Sequence, residues 1–244
     1  MPAPQKGESS VNQPTADQPV IRNRLILSLR PAALEFLQKR LITRSMSVGE
    51  VIYEEGAPFT HAVFPHEGVI SLMSQMQSGR TVEKASIGYE GFVGFALILG
   101  GGNAVSRSTV RIAGYASWLA IEDLDEALAE FPCVSDVMLR YSKSLITQLL
   151  ESVACNSLHT AQQRIARWLL HAHDRVQGDT FYITQEALSE VLGLRRATVS
   201  EAWSQLQHKG VISYSRGCIT IHHRQMLEET ACECFHRIRG GFAS

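Results

Sequence analysis

Arg195, Arg196, Thr198, Ser200 and Glu201 crowd into one short stretch, and each can bond a base edge or a phosphate. An arginine reaches O6 and N7 of guanine with two parallel hydrogen bonds, hydroxyls serve either base or phosphate, and a glutamate accepts from the cytosine amino group. Thr184 upstream and Arg216 downstream add a hydroxyl and a cation within reach of a phosphate backbone. Such a set reads duplex DNA only if a helix presents its first turns to the major groove.

The flanking residues supply that helix. Thr184 is suited to cap a short first helix, with Glu186 in its first turn complementing the helix dipole and Ala187, Leu188 and Val191 forming an inner face. Gly193 stands where a tight turn needs a left-handed residue, and Leu194 plugs the turn. A second helix from about Arg196 buries Val199, Trp203 and Leu206, which leaves the polar residues outside. Residues 210–214 and 218–221 alternate like paired strands, with Ser215-Arg216-Gly217 as a three-residue turn that carries Arg216 at its tip. The pattern is a winged helix-turn-helix.

Upstream the texture differs. Pro31 to Leu41 has the leucine spacing of a short amphipathic helix. From Ile42 to about Leu119, short β-rich runs alternate with turn residues, including His66-Glu67-Gly68, as in a jelly-roll-like β-roll. Asp123 to Phe131 reads as a short helix ended near Pro132. A long helix follows, with Val134, Met138, Tyr141, Leu145, Leu149 and Val153 at intervals of three or four. This stripe can face the β-rich half or form a two-helix coiled coil; it is assigned here as a dimer interface. Thr160 to Arg175 forms the next helix, with Ile165, Trp168, Leu169 and Ala172 inside and His171 and His173 on its surface. The fold class is therefore α+β, with a disordered tail over 1–22, a β-roll sensor domain over 23–132, a dimerisation helix over 133–156 and a DNA-binding domain over 157–244.

Composition narrows the function classes. No run of about 18 apolar residues exists, so no membrane span is expected. Met1–Pro19 is polar and lacks the apolar segment of a secretory signal. Five widely spaced cysteines argue for reduced thiols in the cytoplasm rather than a disulfide framework. The net charge is −1, but residues 155–244 hold ten Lys+Arg against eight Asp+Glu and seven of the nine histidines. That bias is too slight to diagnose nucleic-acid binding, so the motif must carry it. Cys232 and Cys234 lie two apart on an expected helix, facing different sides, and His222, His223 and His236 give them no recognised ligand spacing; no metal site and no cofactor are assigned. Neither a nucleophile–base pair nor paired carboxylates form a recognisable motif, which argues against an enzyme.

Residues 183–221, the segment from Ala154-Cys155-Asn156-Ser157-Leu158-His159 to Asp174-Arg175, and the β-rich half together resemble the Crp/Fnr family of bacterial regulators. The resemblance implies a cyclic-nucleotide-binding-like β-roll, a long dimerisation helix and a winged helix in one homodimer on palindromic double-stranded DNA, with RNA polymerase as a further candidate partner. It places Arg196 at the position of a base-contacting arginine and Ser200 at another readout position, while Ala197 and Glu201 depart from the pattern. The implied effector pocket comprises Glu90, Gly91, Gly94, Phe95, Arg107 and Ser108. Phe95 stands where a nucleotide-binding member has its ribose-binding glutamate and cannot accept a hydrogen bond, and Arg107-Ser108 is about two residues out of register. The expectation is DNA binding not gated by cyclic AMP; the alternative is a small-molecule receptor whose DNA binding is strictly ligand-gated.

Overall fold

The computed structural model describes residues 20–241. Most of the tail expected over 1–22 thus lies outside the described residues. Its last part is held: the Arg22 and Asn23 amides both donate to Nδ1 of His66 at 3.1 Å, and the Val20 carbonyl accepts from Tyr115 at 3.1 Å.

Two short helices open the chain, α1 (Arg24–Leu27) and α2 (Pro31–Gln38). Five antiparallel strands follow: β1 (Ile42–Met46), β2 (Val51–Tyr53), β3 (His61–Gln75), β4 (Thr81–Ile87) and β5 (Arg107–Ala120). The order is β1-β5-β3-β4, with β2 also on β5. β3 and β5 are long because the expected turn at His66-Glu67-Gly68 is instead a bulge: the register slips around Glu67, and the strand continues. Gly68 takes a φ of +91°, and Gly114 on β5 passes so close that a Cβ would stand 2.1 Å from the Glu67 carbonyl oxygen. The bulge bends both strands around one core that includes Val63, Ile70, Ile87, Phe92, Val110 and Leu119.

Two helices close this core, α3 (Ile121–Glu130) and α4 (Pro132–Leu158). Pro132 starts α4 because its missing N–H lies where a helix has no acceptor for it. Then come α5 (Ala161–His173), β6 (Thr180–Tyr182), α6 (Gln185–Leu192), α7 (Arg196–His208), β7 (Ile212–Ser215), β8 (Cys218–Ile221), α8 (Arg224–Thr230) and α9 (Cys234–Gly241). Thr160 and Gln163 form a reciprocal capping box that starts α5. A second core gathers Ile165, Leu169, Leu188, Val199, Trp203 and Ile219. The class is α+β, an antiparallel β-roll followed by a helical, winged unit.

The face of α4 that the sequence assigned to a partner is corrected. Val134, Met138, Tyr141 and Leu145 are at most 3% exposed and pack into the β-roll core of their own protomer, with Leu149 partly buried beside them. The large apolar residues α4 leaves outside are Leu139, Ile146, Leu150 and Val153, between 44% and 68% exposed, and Leu158 at its end, 78% exposed. Val153 belongs to this second stripe, because a helix of this length turns it away from the line that begins at Val134. Both stripes are apolar with helical spacing, so spacing alone could not say which one the β-roll would take.

Candidate nucleic-acid interface

The helix-turn-helix forms as its local signals require. The Thr184 hydroxyl accepts from the Ala187 amide at 3.0 Å, capping α6. Gly193 ends α6 at φ +62°, the left-handed state that only glycine adopts without strain. Arg195 is the extended residue before α7. Val199, Trp203 and Leu206 are fully buried, and the Trp203 ring packs 4.5 Å from that of Tyr214 on the wing. Fixing that face inward turns the opposite face outward.

On that outer face Arg195, Arg196, Ser200 and Glu201 are exposed, as foreseen, and Thr198 is half-buried. Arg195 and Thr198 border a cleft shared with Gly79, Arg80 and Thr81 of the β3–β4 hairpin. Arg196 lies 4.0 Å from Glu186, an exposed contact too weak to hold it away from a phosphate or base. Ala197, Ser204, Gln205, His208 and Lys209 line one groove with Ser200 and Glu201. The sequence reading named Ala197 only as a departure from the pattern and stopped short of the other four, although with Ser200 and Glu201 they recur at intervals of three and four along α7, which marks one face.

The wing differs in its turn. Ser215 pairs with Cys218, so the connection has two residues, not three. Arg216 and Gly217 both take positive φ, 52° and 86°, the tight turn that matches strand twist. Arg216 remains exposed at the tip. β6 adds a third strand against β8 that the sequence reading lacked.

The residues grouped as an effector pocket are used separately. Glu90 is buried and bonds Arg175 through both oxygens, at 2.6 and 3.3 Å. Gly91 lies against the Tyr141 ring, and its carbonyl accepts from Asn23 at 2.7 Å. Gly94 is buried, and Phe95 packs against the β-roll core. Arg107 is solvated and pairs with Glu54 at 3.1 Å, while its neighbour Ser108 is buried. Glu90 therefore serves a joint between the two halves of the chain. The same joint holds Arg175 to Ser86, Trp168 to Glu83 at 3.2 Å, and Arg111 on β5 to Glu190 on α6 at 3.1 Å. Burial raises the Glu83 carboxyl above its ordinary range, although bonds from Ser71 and Trp168 and the charge of Arg175 oppose the shift.

His171, expected on the helix surface, is 7% exposed, and its ring packs tilted against that of Phe235, with centroids 5.0 Å apart. Burial and the nearby arginines push its pKa well below the ordinary histidine value. His173 is held by Asp179 and Arg224, each at 2.8 Å. Both face the C-terminal helices α8 and α9, which the sequence reading did not pack onto α5. Cys232 and Cys234 also depart from expectation. Only Cys234 is helical, because α9 begins there, and Cys232 sits in the short link before it, so the two thiols meet Cys155 in one cluster.

A capped helix, a left-handed glycine turn, a second helix with a polar outer face and an arginine-tipped wing, joined to a β-roll, define a winged-helix DNA-binding regulator. Residues 163–230 match the model of the Crp-like helix-turn-helix domain. A "CRP-like cAMP-activated global transcriptional regulator" of Mycobacterium tuberculosis is 22% identical over 88% of this chain and 99% of its own length. The "Global nitrogen regulator" of a Nostoc species is 24% identical, covering 74% of this chain and 85% of its own. The solved structure of FixK2 from Bradyrhizobium japonicum superposes with a TM-score of 0.64 at 19% identity, over 79% of this chain and 98% of that one. The chain is a transcriptional regulator with a Crp-like helix-turn-helix DNA-binding domain, and its fold is that of Crp/Fnr regulators. Among the described residues, no helix is long and apolar enough to cross a membrane.

Proposed function

We propose that the protein acts in the cytoplasm as a homodimer that binds a palindromic operator without cyclic-AMP gating, and that it meets RNA polymerase there. The observation that carries this reading is the second apolar stripe of α4. Leu139, Ile146, Leu150 and Val153 keep the seven-residue rhythm of a coiled-coil seam on a helix whose other face is already occupied. Two copies joined along it present two α7 helices, and a two-fold protein fits an inverted repeat with half-sites about 34 Å apart. Arg196, Ser200 and Glu201 then read bases, Arg195, Thr198 and the Thr184 hydroxyl sit near the groove edge, and Arg216 binds phosphate.

The mycobacterial relative is named for activation by cyclic AMP. Here Glu90 is committed to Arg175 and Phe95 to the core, which leaves no ribose acceptor in that set, and Arg107 is solvated beside Glu54. Selection from random duplexes with the purified protein, followed by sequencing, should return an inverted repeat, and millimolar cyclic AMP should change operator affinity less than about twofold. A stoichiometric binding heat with a tenfold gain in operator affinity, about 1.4 kcal/mol of coupling, would establish the ligand-gated alternative instead.

A further inference from the structure

Three cysteines and a histidine from distant parts of the chain converge where α4 ends. Cys155 lies in the last turn of α4, and His159, one turn on, is the extended residue that caps it. Cys232 and Cys234 arrive from the link between α8 and α9. Cys155, Cys232 and Cys234 are no more than 3% exposed, and the His159 side chain is 14% exposed. The four donor atoms all lie within 4.8 Å of one another, with Cys155 Sγ 3.5 Å from Cys232 Sγ and Cys234 Sγ 3.7 Å from His159 Nδ1.

From this convergence we infer that Cys155, His159, Cys232 and Cys234 form a tetrahedral zinc site. Zinc bonds of about 2.3 Å to sulfur and 2.0–2.1 Å to nitrogen place neighbouring donors about 3.5–3.8 Å apart, so the Cys155–Cys232 and Cys234–His159 pairs already have the required spacing. An iron–sulfur cluster of several irons holds its thiolates further apart than one ion does. The surroundings match a metal centre as well. His159 turns Nδ1 to the thiols because Nε2 meets Glu233 at 3.2 Å, the carboxylate–imidazole pairing that fixes a ligand's tautomer and orientation. Three thiolates around a zinc ion leave one net negative charge, and the charges of Arg164 and Arg167 on α5 act on this cluster.

The site has a mechanical consequence. His159 is the junction between α4 and the DNA-binding unit, and α9 packs along α4, with Arg237 3.7 Å from Glu151. One ion bonded to both sides of the junction pins α9 to the helix that carries the exposed stripe.

The full-length protein, expressed with added zinc and purified without chelator, should carry about one zinc per chain by elemental mass spectrometry. Cobalt(II) exchanged into it should give the intense visible bands of a tetrahedral site and a thiolate charge-transfer band. Cys234→Ser and His159→Ala should each lower the zinc content below about 0.2 per chain with an unchanged circular dichroism spectrum. Cadmium-113 resonance of the unmutated protein should report three sulfurs and one nitrogen, a readout that needs no variant to fold. The assignment is overturned by less than about 0.2 zinc per chain after equilibration with excess metal, by full occupancy in both variants, or by an octahedral cobalt spectrum. It is equally overturned by acid-labile sulfide in the purified protein or by a Cys155–Cys232 disulfide in metal-free protein prepared without oxygen.

Discussion

Replacing Glu90 by glutamine leaves a buried arginine without its counter-ion. The Arg175 side chain is 4% exposed and that of Glu90 8%, and two of the guanidinium's bonds, at 2.6 and 3.3 Å, go to the carboxylate. Removing one partner of such a pair costs about 3–5 kcal/mol, because the remaining charge has lost its solvent and its neutraliser. Ser86 keeps two bonds to Arg175, through its hydroxyl at 2.6 Å and its carbonyl at 3.1 Å, so the lower end, about 3 kcal/mol, applies. The cost falls on the joint between β-roll and DNA-binding unit. The Gly68 amide reports its opening, since it donates across the joint to the Arg175 carbonyl at 2.9 Å. At 1.4 kcal/mol per tenfold, Glu90→Gln should reduce hydrogen-exchange protection of that amide by about 150-fold. The double change Glu90→Gln with Arg175→Met removes both charges and should return protection to within about 1 kcal/mol of the parent. Loss of less than about fivefold in the single variant, or an additive loss in the double, would refute the claim that this ion pair closes the joint.

Three further outcomes follow from the interface, the helix α4 and the β-roll. Arg196→Ala should weaken operator binding by about 1–3 kcal/mol and relax preference at one base pair per half-site, whereas Arg216→Ala should weaken all sequences alike and lower the salt slope by about one; competition binding at several salt concentrations separates the two. Leu150→Glu should yield monomers in sedimentation, because Leu150 is 68% exposed in the isolated chain and a dimer would bury the new charge, whereas an unchanged dimer would move the seam elsewhere. Burial holds His66 down at about 4, so between that value and the ordinary 6.5 the unfolded chain binds a proton that the folded chain does not. His66 therefore contributes stability above about pH 6.5 that is lost as pH falls through 4, and His66→Gln should flatten that part of the slope in urea titrations at a series of pH values. A proton on Nδ1 also removes the acceptor for the Arg22 and Asn23 amides.

The helix-turn-helix was legible in the residues because its instructions are local. A hydroxyl before α6, a glycine that must be left-handed, and three buried positions on α7 each act within a few residues, so sequence order settles geometry. The wing was legible for the same reason, apart from its turn: a two-residue connection asked Arg216 itself to take positive φ, which a non-glycine residue rarely does. Composition and spacing also separated a β-rich half from a helical one. They could not choose between the two apolar faces of α4, since both have the right period and only the shape of the β-roll selects Val134, Met138, Tyr141 and Leu145. Nor could they find the partner of Glu90, 85 residues away in sequence, or bring together Cys155 and Cys232, 77 apart. Those pairings depend on where whole elements come to rest. Burial then decides which charge must find a counter-charge and which thiols lie together away from solvent, and burial is a property of the packed chain, not of any short stretch of it.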